Sequence, residues 1–377
     1  MGKVCSSSLH GSIFLMQNIW QKLAENKKPF SVLAPMAGVT DFVFREMIAD
    51  ITERDATKHS KVGPDLFFTE FISTEMIVRS GLMQIGTRIS ADKLPNIFHF
   101  SEKQKPIIIQ FFGSKPEQFE YCARLIVEMN GRSSLRYDGI DINMGCPDKK
   151  VQKQGAGSEL INNPELAIEI IQAVKKVCGD QIPISVKTRV GYREINFDHI
   201  KKIAEEGVAA ITIHGRTAFQ GYAGKANWTA IGQAADVIKK INKDVIVIGN
   251  GDIKDIDTGN FLCQQFGLDG FMIGRQVLKS PFAFKLESDL NIEERLELCL
   301  KHTELFHQFY SNGVTVKDDD FSSNNRVSFG AMKKYYKAYL GGFRGASEFR
   351  KELMNAKDFE EGLGVLHKMI EEINNVS

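Results

Sequence analysis

The sequence predicts an α/β fold, a (β/α)8 TIM barrel followed by a smaller all-helical C-terminal region. Three observations carry this expectation. Eight short runs of apolar and β-branched residues recur between Ser31 and Ile273, helical patterns alternate with them, and the strand pattern stops after Pro281. A doubly wound open sheet shares the alternation and stays open as the second choice; the count of eight favours the barrel.

The candidate strands are Ser31–Ala34, Leu66–Glu70, Ile107–Phe111, Gly139–Asn143, Ile184–Thr188, Ala210–His214, Val245–Ile248 and Gly270–Ile273. Ile107-Ile108-Ile109 and Val245-Ile246-Val247-Ile248 are apolar on both faces, as parallel strands covered by helices must be. Pro116–Met129 opens with proline in its first turn and carries Phe119, Ala123, Ile126 and Val127 on one stripe. Pro164–Val177 repeats this with Leu166, Ile170, Ile171 and Val174, and further helices are expected at Phe197–Glu206, Trp228–Ile241 and Asp255–Gln265. The polar stretch Thr52–Gly63 reads as an inserted surface loop. Beyond Pro281, Asn291–Tyr310, Phe329–Leu340, Ala346–Met354 and Phe359–Glu372 read as helices, broken by the polar run Lys317–Asn325 and by glycines 341, 342 and 345. The expected units are an N-terminal arm over 1–30, a barrel over 31–288 and a helical region over 289–377. The arm matches a myristoylation pattern only formally, lacks the apolar stretch of a secretory signal, and holds a short helix near Ile19–Glu25.

Composition narrows the function classes. Of 377 residues, 43% are hydrophobic and 25% charged, which excludes a disordered or low-complexity chain. No run of about 18 apolar residues occurs, so no membrane helix is expected. The 48 basic and 47 acidic side chains exclude a polycation but leave room for a local phosphate-binding patch. Cysteines stand at 5, 122, 146, 178, 263 and 299 without a C-x-x-C pair, so no metal site is expected, and a reducing, cytoplasmic location is the simpler inference. Cys146 differs from the rest, flanked by Gly145 and Pro147 just past a candidate strand.

Barrel active sites form at the C-terminal ends of the strands. The residues there are Pro35-Met36-Ala37-Gly38, Glu70, Gln110, Asn143-Met144-Gly145-Cys146-Pro147, Lys187-Thr188-Arg189, His214-Gly215-Arg216, Gly249-Asn250-Gly251-Asp252 and Gly274-Arg275. Every rim turns polar or small after an apolar strand. Glycines 249, 251 and 274 let backbone N–H groups approach an anion, and Arg275 adds a cation where barrels commonly hold phosphate. Lys187 has a specific use if the cofactor is a flavin mononucleotide, because a cation near N1 stabilises the anionic reduced ring.

Several strings taken together resemble the tRNA-dihydrouridine synthase family. They are Ala34-Pro35-Met36-Ala37-Gly38-Val39-Thr40-Asp41, Asp141-Ile142-Asn143-Met144-Gly145-Cys146-Pro147 with Lys149-Lys150-Val151, Gly155-Ala156-Gly157, Ile213-His214-Gly215-Arg216-Thr217, Asn250-Gly251-Asp252 and Ile273-Gly274-Arg275. The likeness covers roughly Ser31 to Phe284 and continues more loosely into the tail, at Lys333–Tyr339 and Gly342–Ala346. The Thr52–Gly63 insertion and the N-terminal arm depart from it. The resemblance implies reduction of specific uridines in tRNA to 5,6-dihydrouridine, with tightly bound FMN and with NADPH as reductant. It implies that FMN is held by Pro35, Met36, Ala37, Gln110, Lys187, His214, Asn250, Gly251, Asp252, Gly274 and Arg275. Hydride would pass from flavin N5 to uracil C6, and Cys146 would protonate C5. A thiol with an ordinary pKa near 8.5 suits that role at neutral pH.

Between Asn325 and Lys351 seven cations face one acid, Glu348, with Phe329, Tyr335, Tyr336, Tyr339, Phe343 and Phe349 interleaved. The cations attract phosphate and the aromatics are candidates to stack on bases, although a helix with aromatics turned inward gives the same pattern. Lys333, Lys334, Lys337 and Arg344 are the candidates here, while Glu70, Asn143, Arg189 and Arg216 are the candidates for meeting a flipped base or the nearby backbone. A monomer is the expectation. Two other readings compete: a flavin barrel acting on a free pyrimidine, as in dihydroorotate dehydrogenases, and a tRNA-binding protein without catalysis. A basic helical tail speaks against the first, and intact Cys146, Lys187 and His214 against the second.

Overall fold

The computed structural model describes residues 17–25, 29–53, 63–82, 95–132, 136–284, 290–312, 328–341, 343 and 345–374. Eight strands, β1 (Phe30–Leu33), β2 (Phe67–Ser73), β3 (Ile107–Phe112), β4 (Gly139–Asn143), β5 (Ile184–Arg189), β6 (Ala210–His214), β7 (Ile246–Asn250) and β8 (Gly270–Ile273), form one parallel sheet ordered β1-β8-β7-β6-β5-β4-β3-β2. The Val32↔Leu66 bridge and the Leu33 N–H to Leu66 oxygen bond of 3.0 Å join the two ends, so the sheet closes on itself. Closure decides against the open doubly wound sheet. The strands fall within a few residues of their expected places because most are short apolar runs buried on both faces. β2 runs three residues further than expected, past a register shift between Phe68 and Phe71.

The helices follow in chain order: α1 (Ile19–Ala24), α2 (Phe42–Glu53), α3 (Thr74–Ser80), α4 (Pro116–Arg132), α5 (Lys149–Lys153), α6 (Pro164–Cys178), α7 (Asp198–Glu205), α8 (Trp228–Ile241), α9 (Ile256–Phe266), α10 (Ile292–Asn312), α11 (Phe329–Tyr339), α12 (Ala346–Asn355) and α13 (Phe359–Asn374). The sequence reading assigns no helix to α2. Its inward stripe of Phe44, Met47, Ile48 and Ile51 also carries Arg45, 1% exposed. A buried arginine reads as an interruption until its partners are seen: Nε donates to Gln104 Oε1 at 2.8 Å, and the two terminal nitrogens donate to the carbonyls of Thr40 and His99, each at 2.6 Å. Of the expected insertion, residues 54–62 lie outside the described residues.

Where it is described, the N-terminal segment holds the expected short helix, packed on the barrel. Asn18 caps α1 by accepting from the amides of Trp20 and Gln21. Trp20 is fully buried, with its indole 6.4 Å from Phe30 and 6.3 Å from Phe68. It packs among Val32, Leu66, Ile108, Ala210, Ile246, Ile248 and Met272, which line the barrel interior near the strand starts. α1 therefore closes the barrel floor.

The helical region shares the barrel's core. Phe42 stacks on Phe309 of α10 at 4.4 Å, and Phe44 stacks on Tyr335 of α11 at 5.1 Å. Asp50 of α2 pairs with Lys103 at 2.8 Å and with Lys301 of α10. Tyr335 hydroxyl donates to Val39 oxygen at 2.7 Å and to Asp41 Oδ2 at 2.8 Å, which pins the loop after β1. Phe329, Tyr335, Tyr336 and Tyr339 are each at most 4% exposed, a correction to their reading as base-stacking groups: they are core.

Trp20→Ala should destabilise the fold by roughly 3–5 kcal/mol, the cost of truncating a buried tryptophan. Urea denaturation measures this; a change below about 0.5 kcal/mol would show that α1 does not seal the floor.

Candidate functional site

Above the apolar floor the barrel interior turns polar. Gln110 of β3 pairs in register with Asp141 of β4, Asp141 with Ser185 of β5, Asn143 with Lys187, and Lys187 with Thr212 of β6. Ser185, Asp141, Gln110 and Asn143 are joined by a chain of hydrogen bonds. Ser185 hydroxyl donates to Asp141 Oδ1 at 2.6 Å, Gln110 Nε2 donates to Asp141 Oδ2 at 2.6 Å, and Asn143 Nδ2 donates to Gln110 Oε1 at 2.9 Å. That leaves Asn143 Oδ1 facing outward, where it accepts from the amides of Gly145 at 3.1 Å and Cys146 at 3.0 Å. Ser158 amide donates to Cys146 oxygen at 2.9 Å, and Asp148 caps α5 just beyond. Gly157, at φ +61, passes so close that a Cβ would lie 2.8 Å from the Cys146 oxygen. The turn bearing Cys146 is thus held from below and from one side.

The thiol is half-buried, and burial raises its pKa above the ordinary value, outweighing the pull of Arg189 and Lys187. It is a protonated group at neutral pH. Lys187 is pushed down to about 8 by burial and then by Arg189, while Asp141 opposes the shift. Asp141 itself is raised to about 7 by burial, against the hydrogen bonds from Ser185 and Gln110. His214, 8% exposed, is held well below its usual range by burial and then by Lys187. Its Nδ1 lies 3.2 Å from the Arg216 amide, so the neutral ring carries its proton on Nε2.

Cys146, Lys187 and His214 line a cleft of about 530 Å³ at the strand C-terminal ends. Of the expected residues the cleft wall contains Pro35, Met36, Asn143, Cys146, Lys187, Arg189, His214, Asn250, Gly251, Asp252, Gly274 and Arg275. Its lining combines apolar side chains, Ala34, Met36, Phe71 and Met272, with cations, Lys187, Arg189, Lys254, Arg275 and Lys279. Asn250 is oriented by donating to Met272 oxygen at 2.8 Å.

Other expected residues stand elsewhere. Ala37 is not on the wall, and Gln110 is enclosed beneath it with both ends of its amide engaged. Glu70 accepts from the Gly38 amide behind the β1 loop, raised to about 7 by burial and by neighbouring Asp41. Arg216 is 3% exposed and turned away: it holds both oxygens of Asp252 at 2.8 Å and donates to Ala223 oxygen at 3.1 Å. Its expected contact with a base is replaced by the fixing of Asp252, whose φ of 55° needs such support. Arg189 lines the cleft, but its nitrogens donate to the carbonyls of Gly145 at 2.6 Å, Thr217 at 3.0 Å and Gly221 at 2.9 Å. Lys333 donates to Met354 oxygen at 2.7 Å and Lys334 donates to Gly38 oxygen, so both brace the helical region; Lys337 is exposed, and Arg344 lies outside the described residues. Sequence reasoning missed Tyr222, 58% exposed on the cleft wall with Arg275 4.2 Å above its ring. No periodicity or motif pointed to it. Among the described residues no helix is long and apolar enough to cross a membrane, and no cluster could hold a metal ion.

The dihydrouridine synthase family model matches residues 32–374, barrel and helical region together. This chain belongs to the dihydrouridine synthase family. It is 35% identical over 356 residues to a probable tRNA-dihydrouridine synthase of Staphylococcus aureus, covering 93% of this chain and 95% of the relative. It is 34% identical to a probable tRNA-dihydrouridine synthase 2 of Bacillus subtilis, covering 92% and 95%. Likeness to solved structures is weak: morphinone reductase gives a TM-score of 0.45 at 12% identity over 70% of this chain and 88% of that one, and a Rhizobium histamine dehydrogenase 0.44 at 15% over 73% and 48%. Membership in the dihydrouridine synthase family accounts for the strings around Cys146, His214 and Arg275 occurring in one chain.

In this member, Asp141→Ala should strip Gln110 Nε2 and Ser185 of their acceptor and cost about 1–3 kcal/mol for each buried group left unpaired. It should also speed alkylation of Cys146 by iodoacetamide, whereas Asp141→Asn, which keeps an acceptor, should stay near wild type. Equal alkylation rates in all three proteins would show that the chain of bonds does not position the thiol.

Proposed function

We propose that this protein reduces the C5–C6 double bond of specific uridines in tRNA to 5,6-dihydrouridine, with FMN as bound cofactor and NADPH as reductant. The observation that carries this reading is Cys146, a protonated thiol on a turn locked by Asn143, at the wall of a cleft that also presents Lys187, His214 and Arg275. The cleft suits a flavin mononucleotide: its lining offers apolar side chains for a planar ring and cations for a phosphate. FMN supplies hydride chemistry when bound. Lys187, half-buried and cationic, would lie by the ring's electron-rich edge, and the Nε2–H of His214 would donate to a carbonyl or ring heteroatom. Pro35 and Met36 would pack on the ring, while Arg275 and the backbone around Gly251 and Gly274 would receive the phosphate.

Hydride addition at uracil C6 leaves negative charge shared between C5 and the C4 carbonyl, and C5 must gain a proton. Cys146 holds that proton on sulfur; its burial keeps the thiol from ionising before substrate arrives, and nearby Arg189 and Lys187 stabilise the thiolate left behind. The target uridine has to leave its stack to reach the thiol, so cations around the mouth offset part of the unstacking cost. Lys149, Lys150 and Lys153, all exposed beside Cys146, supply such charge. The helical region holds the enzyme's side of the tRNA through its outward cations, Lys337 among them.

Cys146→Ala should lower tRNA reduction by about 100-fold or more, the usual weight of a positioned proton donor, while NADPH still reduces the flavin. Stopped-flow absorbance for the first half-reaction and dihydrouridine mapping for the second separate the two. Unchanged tRNA turnover would remove the assigned role, and turnover of free uracil or orotate in place of tRNA would favour the small-molecule reading.

A further inference from the structure

Two loops at the barrel mouth, residues 190–197 after β5 and 215–227 after β6, are bonded into one frame. Ala218 amide donates to Gly191 oxygen at 3.0 Å, Phe219 amide to Tyr192 oxygen at 2.8 Å, and Asn196 amide to Val190 oxygen at 2.9 Å. Arg189 ties the second loop from beneath, at Thr217 and Gly221. Gly191, at φ +154, leaves no room for a side chain, since a Cβ would lie 1.9 Å from the Glu194 oxygen. On this fixed frame the Phe219 ring is 74% exposed. The fold gains nothing from it there.

What surrounds the ring indicates what covers it. The Arg193 guanidinium lies 5.4 Å from the ring centroid, and Tyr222, three residues on, reaches the cleft wall. Lys225 is exposed in the same loop, and Glu194 is the one acid in the two segments. An exposed aromatic face with a guanidinium against it, on the loop whose Tyr222 reaches the cleft, matches a planar base on a phosphate backbone.

We propose that Phe219, braced by Arg193, is a stacking platform for the nucleobase next to the uridine that enters the cleft. This assignment rests on the function proposed above. Extruding one nucleotide strips its neighbour of a stacking face, and the phenyl ring supplies a replacement that does not depend on which base is present. Phe219 would thus help hold the opened strand, and the affinity it adds would be for RNA in its substrate-ready shape.

The test uses the FMN-loaded protein and a tRNA transcript whose modified uridine has been mapped with the wild type. Phe219→Ala should raise KM for tRNA about tenfold, a typical loss for one stacked base, and Phe219→Leu should do the same because it is apolar without a π face. Phe219→Trp should stay near wild type. An abasic site beside the target should raise the wild-type KM by a similar factor and add nothing further in Phe219→Ala. KM unchanged in Phe219→Ala, or equal abasic penalties in both proteins, would overturn the platform. So would a dimer that Phe219→Ala turns into a monomer with tRNA kinetics intact, since the ring would then face a second copy. A wild type that is flavin-loaded yet never reduces tRNA would sink the proposed function and this assignment with it, a result distinct from an active wild type indifferent to Phe219.

Discussion

Asn143 is the point on which the site turns. A side-chain amide has one donor end and one acceptor end, and only one orientation lets its oxygen receive the backbone amides of Gly145 and Cys146. Nothing at the surface enforces that orientation. It is imposed from inside the barrel by Gln110, whose own amide is oriented by a carboxylate, Asp141, able only to accept when ionised. A buried acid on an interior strand would normally be an unwelcome cost. Here its two hydrogen bonds and the nearby cation of Lys187 satisfy it, and the polarity it imposes passes through two amides to the thiol turn.

A second constraint joins the barrel to the helical region. Tyr335 and Lys334 of α11 both engage the loop that follows β1, and that loop supplies Pro35 and Met36 to the cleft. The side chains that look like an RNA-binding cluster in the sequence are divided by this contact. Tyr335 and Lys334 hold the regions together, Lys333 braces the helical region from within, and Lys337 points outward. Family-level matching across residues 32–374 agrees with two regions that share a core.

The barrel was legible because short apolar runs, most of them buried on both faces, recur eight times in alternation with helical patterns. The rim residues were legible for a related reason: in a closed parallel barrel, position in the chain fixes which end of a strand a residue occupies. What the sequence hid was direction. Arg216 and Asp252 both follow strand ends, yet they turn toward each other, and only Asp252 reaches the cleft. Arg189 looked like a free cation and is spent on three carbonyls. α2 escaped notice because Arg45 interrupts its stripe with a charge whose partners come from residues 40, 99 and 104, invisible to local pattern. Tyr222 and Phe219 had no pattern at all, being loop residues whose meaning comes from neighbours on another loop.

The indole of Trp20 has one last effect. With that ring wedged among the strand starts, the cylinder is a cup rather than a tube. Among the described residues the sulfur of Cys146 is therefore reached from the mouth at the strand C-terminal ends, opposite that ring.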